Sequence, residues 1–486
     1  MSENKVVDIE GKPYRRSLLV MVLLIGNFCT MLNQTILATA FPKLMEEFKV
    51  TPSTIQWLTT GFMLVMGIMI PISAWLFSRF KTKTLYISAM SIFLVGTLIC
   101  FSAPTFAVLL IGRLVQAVAV GVSIPMVQTI MLSIFPPEKR GTAMGLSGLV
   151  VGLAPALGPT LSGYIIDEYH WRDLFGMIIP IVCLVLFLAI FFMRNVLPNN
   201  KQRISVPSII LSTIGFGFLL YGFSSVGDNG WTDPVVLISL AIGTVFVIFF
   251  TIYQLRMEHP FLDVRVFKQL RFTLGTIISS MTYIMMIGVE MVLPMYIQNI
   301  HGQSAFHSGL LLLPGAFLVG LMMPITGRIF DKYGAKRLAL TGLLIATIST
   351  IPFMFLAETT PLLLVTVSYA LRMFGISMVM MPVTTYGMNS LSDKLISHGT
   401  AVNNTLRQVM GSVGTAILFS VFSNVTSIEQ PKHALVYNNL LAYKQQMINA
   451  MVHGYEAAFF VALLFGVVGL VLAFFLKDKT VEGGVN

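Results

Sequence analysis

Fourteen continuous apolar runs of about 20 residues or more, each long enough to cross a bilayer as a helix, limit what this chain can become. They lie near 18–40, 53–76, 84–103, 105–133, 142–166, 173–194, 206–226, 234–254, 270–297, 306–330, 337–357, 361–390, 399–424 and 455–476. The runs are unbroken and lack the two-residue alternation of barrel strands, so the expected fold class is an all-α polytopic membrane protein. Over the 486 residues, 56% are hydrophobic and only 11% charged. A soluble domain carries roughly 25% charged residues, so several soluble surfaces cannot be covered. Soluble enzymes, secreted scaffolds and disordered chains are excluded.

The net charge of +10 follows the runs rather than any nucleic-acid-binding pattern. Of 31 Lys and Arg, 23 fall on one side if the N-terminus is cytoplasmic, 5 on the other, and 3 (Arg113, Arg372, Arg407) inside spans. That bias places both termini in the cytoplasm of a plasma membrane, and a bacterial one is expected. The first run is too long for a signal-peptide core, so no cleavage is expected after Ala38-Thr39-Ala40. Trp57, Trp75, Trp171 and Trp231 sit near run ends, where interfacial tryptophans belong. Cys29, Cys100 and Cys183 form no ligand pattern, and no metal site is expected.

An internal repeat spans most of the chain. Ala74 to Lys83 matches Gly327 to Lys336, Arg113 and Pro125 match Arg372 and Pro382, and Arg140-Gly141-Thr142-Ala143 matches His398-Gly399-Thr400-Ala401. The offsets of 253, 259 and 258 residues argue for two six-helix halves in parallel orientation. The expected domains are 1–195, an inserted helix pair in 196–268, and 269–486, with an amphipathic external segment near 425–454.

With these motifs the chain resembles the major facilitator superfamily, and within it the fourteen-helix drug:proton antiporters of the EmrB/QacA type. The resemblance implies two six-helix bundles plus an inserted pair. Gly327, Asp331, Lys332 and Arg337 look like the family's complete loop motif at a cytoplasmic gate. The first copy keeps Arg79 but has Ala74 and Ser78 where the family has glycine and aspartate. A carboxylate at a helix N-terminus beside basic residues can latch helices together. Gly145, Ala154, Gly158, Pro159 and Gly163 resemble the antiporter motif, in which small residues bring helices close and proline permits a bend. Trp171-Arg172-Asp173 is also characteristic of these transporters.

Ionisable groups inside spans are few and costly. Glu290 is the single acid well inside a run and is expected to carry protons. Leu32-Asn33-Gln34-Thr35 stands where the resemblance implies an aspartate, so Asn33 supplies hydrogen bonds but no proton. Arg113 and Gln116 resemble the family's Arg-x-x-Gln signature, with Ala117 for the usual glycine, and Arg113 is expected to join the proton path. Asn33, Gln34, Gln116, Met286 and Glu290 are the expected cavity residues. Thirty Met and 36 Phe supply adaptable apolar and cation-accepting surface.

The expected function is proton-coupled export of hydrophobic or cationic compounds by alternating access. No cofactor beyond the proton gradient, no nucleic acid and a monomer in lipid are expected. A metabolite carrier of the same fold is the alternative. A membrane enzyme would need a constellation of His, Asp, Glu or Cys, and His301 and His307 stand alone.

Overall fold

The computed structural model describes residues 6–37, 40–198, 204–431 and 439–477. Among them α1 (Arg16–Thr35), α3 (Pro52–Arg79), α4 (Thr82–Phe101), α5 (Phe106–Ile134), α6 (Arg140–Glu168) and α7 (Asp173–Phe192) build the first half, with a short α2 (Phe41–Phe48) between α1 and α3. Next in the chain come α8 (Val206–Asn229) and α9 (Pro234–Arg256), the pair expected from the sequence to be an insertion. The second half holds α10 (Leu270–Asn299), α11 (Ala305–Tyr333), α12 (Ala335–Ile348), α13 (Leu362–Ser377), α14 (Met380–Met388), α15 (Ile396–Glu429) and α16 (Leu440–Ala473). Among the described residues thirteen helical segments are long and apolar enough to cross a membrane, and the run expected at 142–166 coincides with α6, a helix of 29 residues.

Helix starts follow local chemistry. Thr51, Thr105, Ser205, Asp233, Ser304 and Asn439 each accept a backbone N–H from their own first turn. No side chain of its own caps α6 in this way. Its cap comes from the other half of the molecule.

The structure amends three expectations. The run at 361–390 is two helices: Pro382 has no N–H to return to Met378, and the chain tightens there through Met378 N–H to the Gly375 oxygen (3.1 Å) and Val379 N–H to the Ile376 oxygen (3.0 Å). The segment 425–454 is mostly the ends of two long helices, since α15 runs to Glu429 and α16 begins at Leu440; residues 432–438 lie outside those described. Each of these helices has 34 residues, about 51 Å, well beyond the hydrocarbon core. Trp75 and Trp171 are buried in protein, at 8% and 2% exposure, rather than belted in lipid. The all-α expectation holds, with one short ladder beside the helices, β1 (Val6–Val7) antiparallel to β2 (Pro13–Tyr14). Asp8 closes its turn by accepting Glu10 N–H and Lys12 N–H, with Gly11 at φ +77°.

That turn presents Glu10 to Lys81 and Asn195, both at 2.9 Å. Bonds from Lys81, then Lys12 and Asn195, pull the Glu10 carboxyl down to about 2. At the opposite end, Glu47 accepts from Trp171 Nε1 and from Arg172 at 3.0 Å, tying α2 to the entry of α7.

Packing within each half depends on short interhelical distances. A methyl group at Gly96 of α4 would lie 2.8 Å from the Gln116 backbone nitrogen and 2.9 Å from the Gly112 oxygen of α5. One at Gly163 would meet nothing nearer than Phe306 at 3.4 Å. Gly96→Ala should therefore cost about 1–3 kcal/mol and lower the melting temperature by several degrees. Gly163→Ala should change it little, and thermal unfolding in detergent, read by tryptophan fluorescence, checks the difference.

Candidate functional site

Four first-half helices converge on Arg113, which is fully buried. Its Nη1 donates to the Asn33 carbonyl oxygen (3.1 Å) and Gln116 Oε1 (3.0 Å), and its Nε to the Leu58 oxygen (3.4 Å). The Phe62 ring lies against the guanidinium, 4.2 Å from carbon to centroid. Gln116 also accepts from Asn33 Nδ2 at 3.0 Å and donates to Thr97 Oγ1 at 2.9 Å. Asn33, Arg113 and Gln116 are thus one unit across α1, α3, α4 and α5. A buried charge is tolerated when carbonyl dipoles and an aromatic face replace water, and here they do so without a carboxylate. Asn33 Oδ1, buried, has no hydrogen-bond partner. Gln34 stays outside the unit, with its Nε2 3.4 Å from Met31 Sδ.

The second half repeats the clamp. Arg372, also fully buried, donates from Nε to Thr350 Oγ1 at 3.1 Å and from Nη2 to the Met285 carbonyl oxygen. Thr350 follows Thr97 by 253 residues, an offset already found in the repeat. Both threonines were missed in the sequence although the offset pointed to them, because threonine in an apolar span carries no charge to draw notice.

What distinguishes the second clamp is Glu290. It sits in α10, partly accessible, within electrostatic reach of Arg372 and Tyr369. Tyr283, two turns earlier on the same face, is also within its reach, and Arg407 of α15 lies 4.7 Å from that ring. Met286, one turn before Glu290, is partly accessible as well. Among the described residues no ion pair joins Glu290 to Arg372 within 4.0 Å. The carboxylate and the Arg372 guanidinium are therefore in electrostatic reach without being locked together, an arrangement whose energy changes when the carboxylate gains or loses a proton.

The two halves meet along α6 and α11. Asp331 of α11 accepts Gly141 N–H and Thr142 N–H, each at 2.8 Å, and the Thr142 hydroxyl at 2.6 Å. This supplies the cap that α6 lacks, and the carboxylate faces the positive end of the helix dipole. The backbones are so close that a methyl group at Gly327 would strike the Gly141 oxygen. Beside it Arg140 donates to Asp393 (3.1 Å) and Asn389 (3.4 Å) of the other half. Lys332 and Arg337 are exposed, and Lys332 lies over Tyr333. Arg140, a basic residue that crosses between the halves, was placed by the sequence reading in the repeat but not in the gate.

The first loop copy is different. Ser78 Oγ donates to the Ala74 oxygen of its own helix at 3.2 Å, and Arg79 is exposed. The antiporter-motif residues divide between two neighbours: Gly145 faces Met323 of α11, whereas Gly158 faces Thr35 of α1. Ala154 is fully buried, Gly163 is near Phe306, and the side chain of Pro159 lies outside those described. Deeper along the halves Asn404 of α15 donates to Gln128 of α5 at 2.7 Å, another bridge that sequence alone did not single out.

A model of the Major Facilitator Superfamily matches residues 23–415. The chain belongs to the major facilitator superfamily. It is 48% identical to an uncharacterized MFS-type transporter, YcnB, of Bacillus subtilis, covering 97% of both chains. It is 39% identical to the lincomycin resistance protein LmrB of Listeria innocua over 96% of this chain and 98% of that one. Among solved structures, the human organic anion transporter MFSD10 aligns with a TM-score of 0.65 at 14% identity, covering 94% of this chain and 99% of the other, which shows a shared fold.

In this superfamily member the two loop copies are chemically unequal. Asp331→Asn retains the shape but loses the charge behind three bonds, so transport by cells should fall by about tenfold or more. Ser78→Ala removes only a bond within one helix and should leave transport within about twofold. Equal, negligible effects in a transport assay would remove the latch from the account.

Proposed function

We propose that this chain is a proton-coupled exporter of hydrophobic compounds, drugs among them, of the fourteen-helix EmrB/QacA type. It works by alternating access in a bacterial plasma membrane with both termini cytoplasmic. The observation that carries this reading is Glu290, a partly accessible carboxylate two-thirds of the way along α10 with Arg372 and Tyr369 in electrostatic reach. Resistance relatives support export: the LmrB proteins, and a multidrug resistance protein B homolog of Mycobacterium tuberculosis that is 27% identical over 82% of this chain. The basic-loop side, where Asp331 and Arg140 join the halves, is the cytoplasmic gate.

Glu290 couples because its two protonation states differ in what they ask of the second half. Ionised, it is attracted to Arg372, which is itself fastened to α10 through the Met285 oxygen and to Thr350 beyond the end of α12. Protonated, it loses that attraction and can rest in an apolar setting beside Met286. Proton binding thus changes the balance between helix arrangements, and substrate binding can favour release. Asn33 cannot share this task, so one carboxylate carries it.

The interior also narrows the cargo. Arg113, Arg372 and Arg407 are all buried, and Glu290 is the one acid well inside a span. Such a field opposes a permanent cation and tolerates neutral lipophilic compounds, which the apolar surface can accept. Exchange of a neutral compound for one proton moves net charge. It draws on about 1.4 kcal/mol per pH unit and about 2.3 kcal/mol per 100 mV.

Glu290→Gln keeps size and hydrogen bonding but cannot ionise. In proteoliposomes with an imposed pH gradient it should bind neutral compounds yet fail to accumulate them, the gradient ratio falling from roughly tenfold per pH unit to unity. Pumping by this variant with ordinary pH dependence would place the coupling site elsewhere.

A further inference from the structure

The two halves are related by the repeat, yet of the two loop-motif copies only the second has a carboxylate to reach the other half. Asp331 reaches across to the start of α6. The related reach, from the end of α3 to the start of α15, would begin at Ser78, whose hydroxyl turns back to Ala74. At the start of α15 the related residues His398, Gly399 and Thr400 already lie inside a helix that begins at Ile396, so that turn does not need a carboxylate cap.

Another segment occupies this place. The connector from α9 to α10, residues 257–269, runs between the end of α3 and the start of α15. Phe261, fully buried, stacks on Trp75 of α3 with ring centroids 6.2 Å apart and planes at 15°. Two residues later the Asp263 backbone N–H donates to His398 Nδ1 of α15 at 3.1 Å. Three residues, Phe261 to Asp263, thus hold a first-half helix and a second-half helix together.

The connector is itself rigidly supported by the inserted hairpin. Gln254 of α9 donates to Ser208 of α8 at 2.8 Å, while its Oε1 accepts Phe261 N–H at 2.7 Å and Leu262 N–H at 3.2 Å. The Asp263 carboxylate accepts Arg265 N–H at 3.0 Å, and Arg265 Nη2 ties back to the Leu255 and Met257 oxygens, both at 2.9 Å. Every polar group in that list has a partner within the inserted unit, so the connector meets α3 and α15 as a preformed shape.

We infer that the connector of the inserted helix pair is the second gate latch, standing in for the carboxylate that the first loop motif lacks. This rests on the alternating-access reading above. The aromatic stack gives adhesion to α3, and the single directional bond to His398 gives position on α15. When the basic-loop side opens, one of these two contacts must part. The inserted pair therefore contributes to gating and is not merely peripheral bulk.

The test reads gate opening without transport. In full-length protein freed of Cys29, Cys100 and Cys183 and held in lipid nanodiscs, spin labels replace the exposed Lys139 and Lys332, one on each half. Double electron–electron resonance then reports the ratio of the separated to the closed population. Phe261→Leu, which keeps apolar volume but loses the stack, and His398→Leu, which loses the acceptor, should each raise that ratio about fivefold. His398→Asn, which restores an acceptor, should return it toward the parent. Unchanged distributions in both leucine variants overturn the proposal. Asp331→Asn, measured alongside, separates the two readings: if it shifts the distribution and the connector variants do not, only the connector latch is wrong. If none shifts it, the gate reading itself falls.

Discussion

The carboxylate of Asp331 on the first turn of α6 is the interaction on which the arrangement of the halves depends. Helix N-termini leave unsatisfied N–H groups, and α6 has no cap of its own. By borrowing one from α11 the first half is complete only when the second is docked. The close backbone approach at Gly141 and Gly327 makes this contact possible, since a Cβ at Gly327 would hold the helices apart. A hydrogen-bonded contact of this kind is directional and stable when closed, yet its groups can all be satisfied by water when it opens. Those are the properties of a gate rather than of a permanent core.

Charge inside the bilayer imposes the second constraint. Arg113 and Arg372 are held by the same device in both halves, a carbonyl from the first helix of the half and a threonine from its third span, directly or through Gln116. Fixed in this way, each arginine joins helices of its own half. The halves then differ at one place that matters for energy: Asn33 stands in the first, while Glu290 gives the second a titratable group. The asymmetry of the gate, with Asp331 on one side and the α9–α10 connector on the other, matches this division.

Much of this was legible in the chain. Apolar run length yielded the helices, because a spanning helix must satisfy its backbone internally and the required length is set by the bilayer. The repeat offsets paired Arg113 with Arg372, and the structure holds the two in similar clamps. What could not be read was which partner a buried donor finds: the Asn33 and Met285 carbonyls carry no side-chain signature, and nothing in the repeat that holds Arg140 marks its reach to Asp393. The break before Pro382 was also hidden, because Pro125, at the related position, continues within one helix. Trp75 looked interfacial by its place in the run; its burial depends on a connector that lies nearly 190 residues further along.

The account holds that α6 and α11 must separate for each transport cycle. A Cβ on Gly152 would lie 2.6 Å from a methyl of Val319, so cysteines at these two positions are within disulfide reach in the closed arrangement. In a background without other cysteines, oxidation of the Gly152→Cys, Val319→Cys pair should stop energy-dependent export, and reduction should restore it. Full export with the disulfide quantitatively formed would contradict the account.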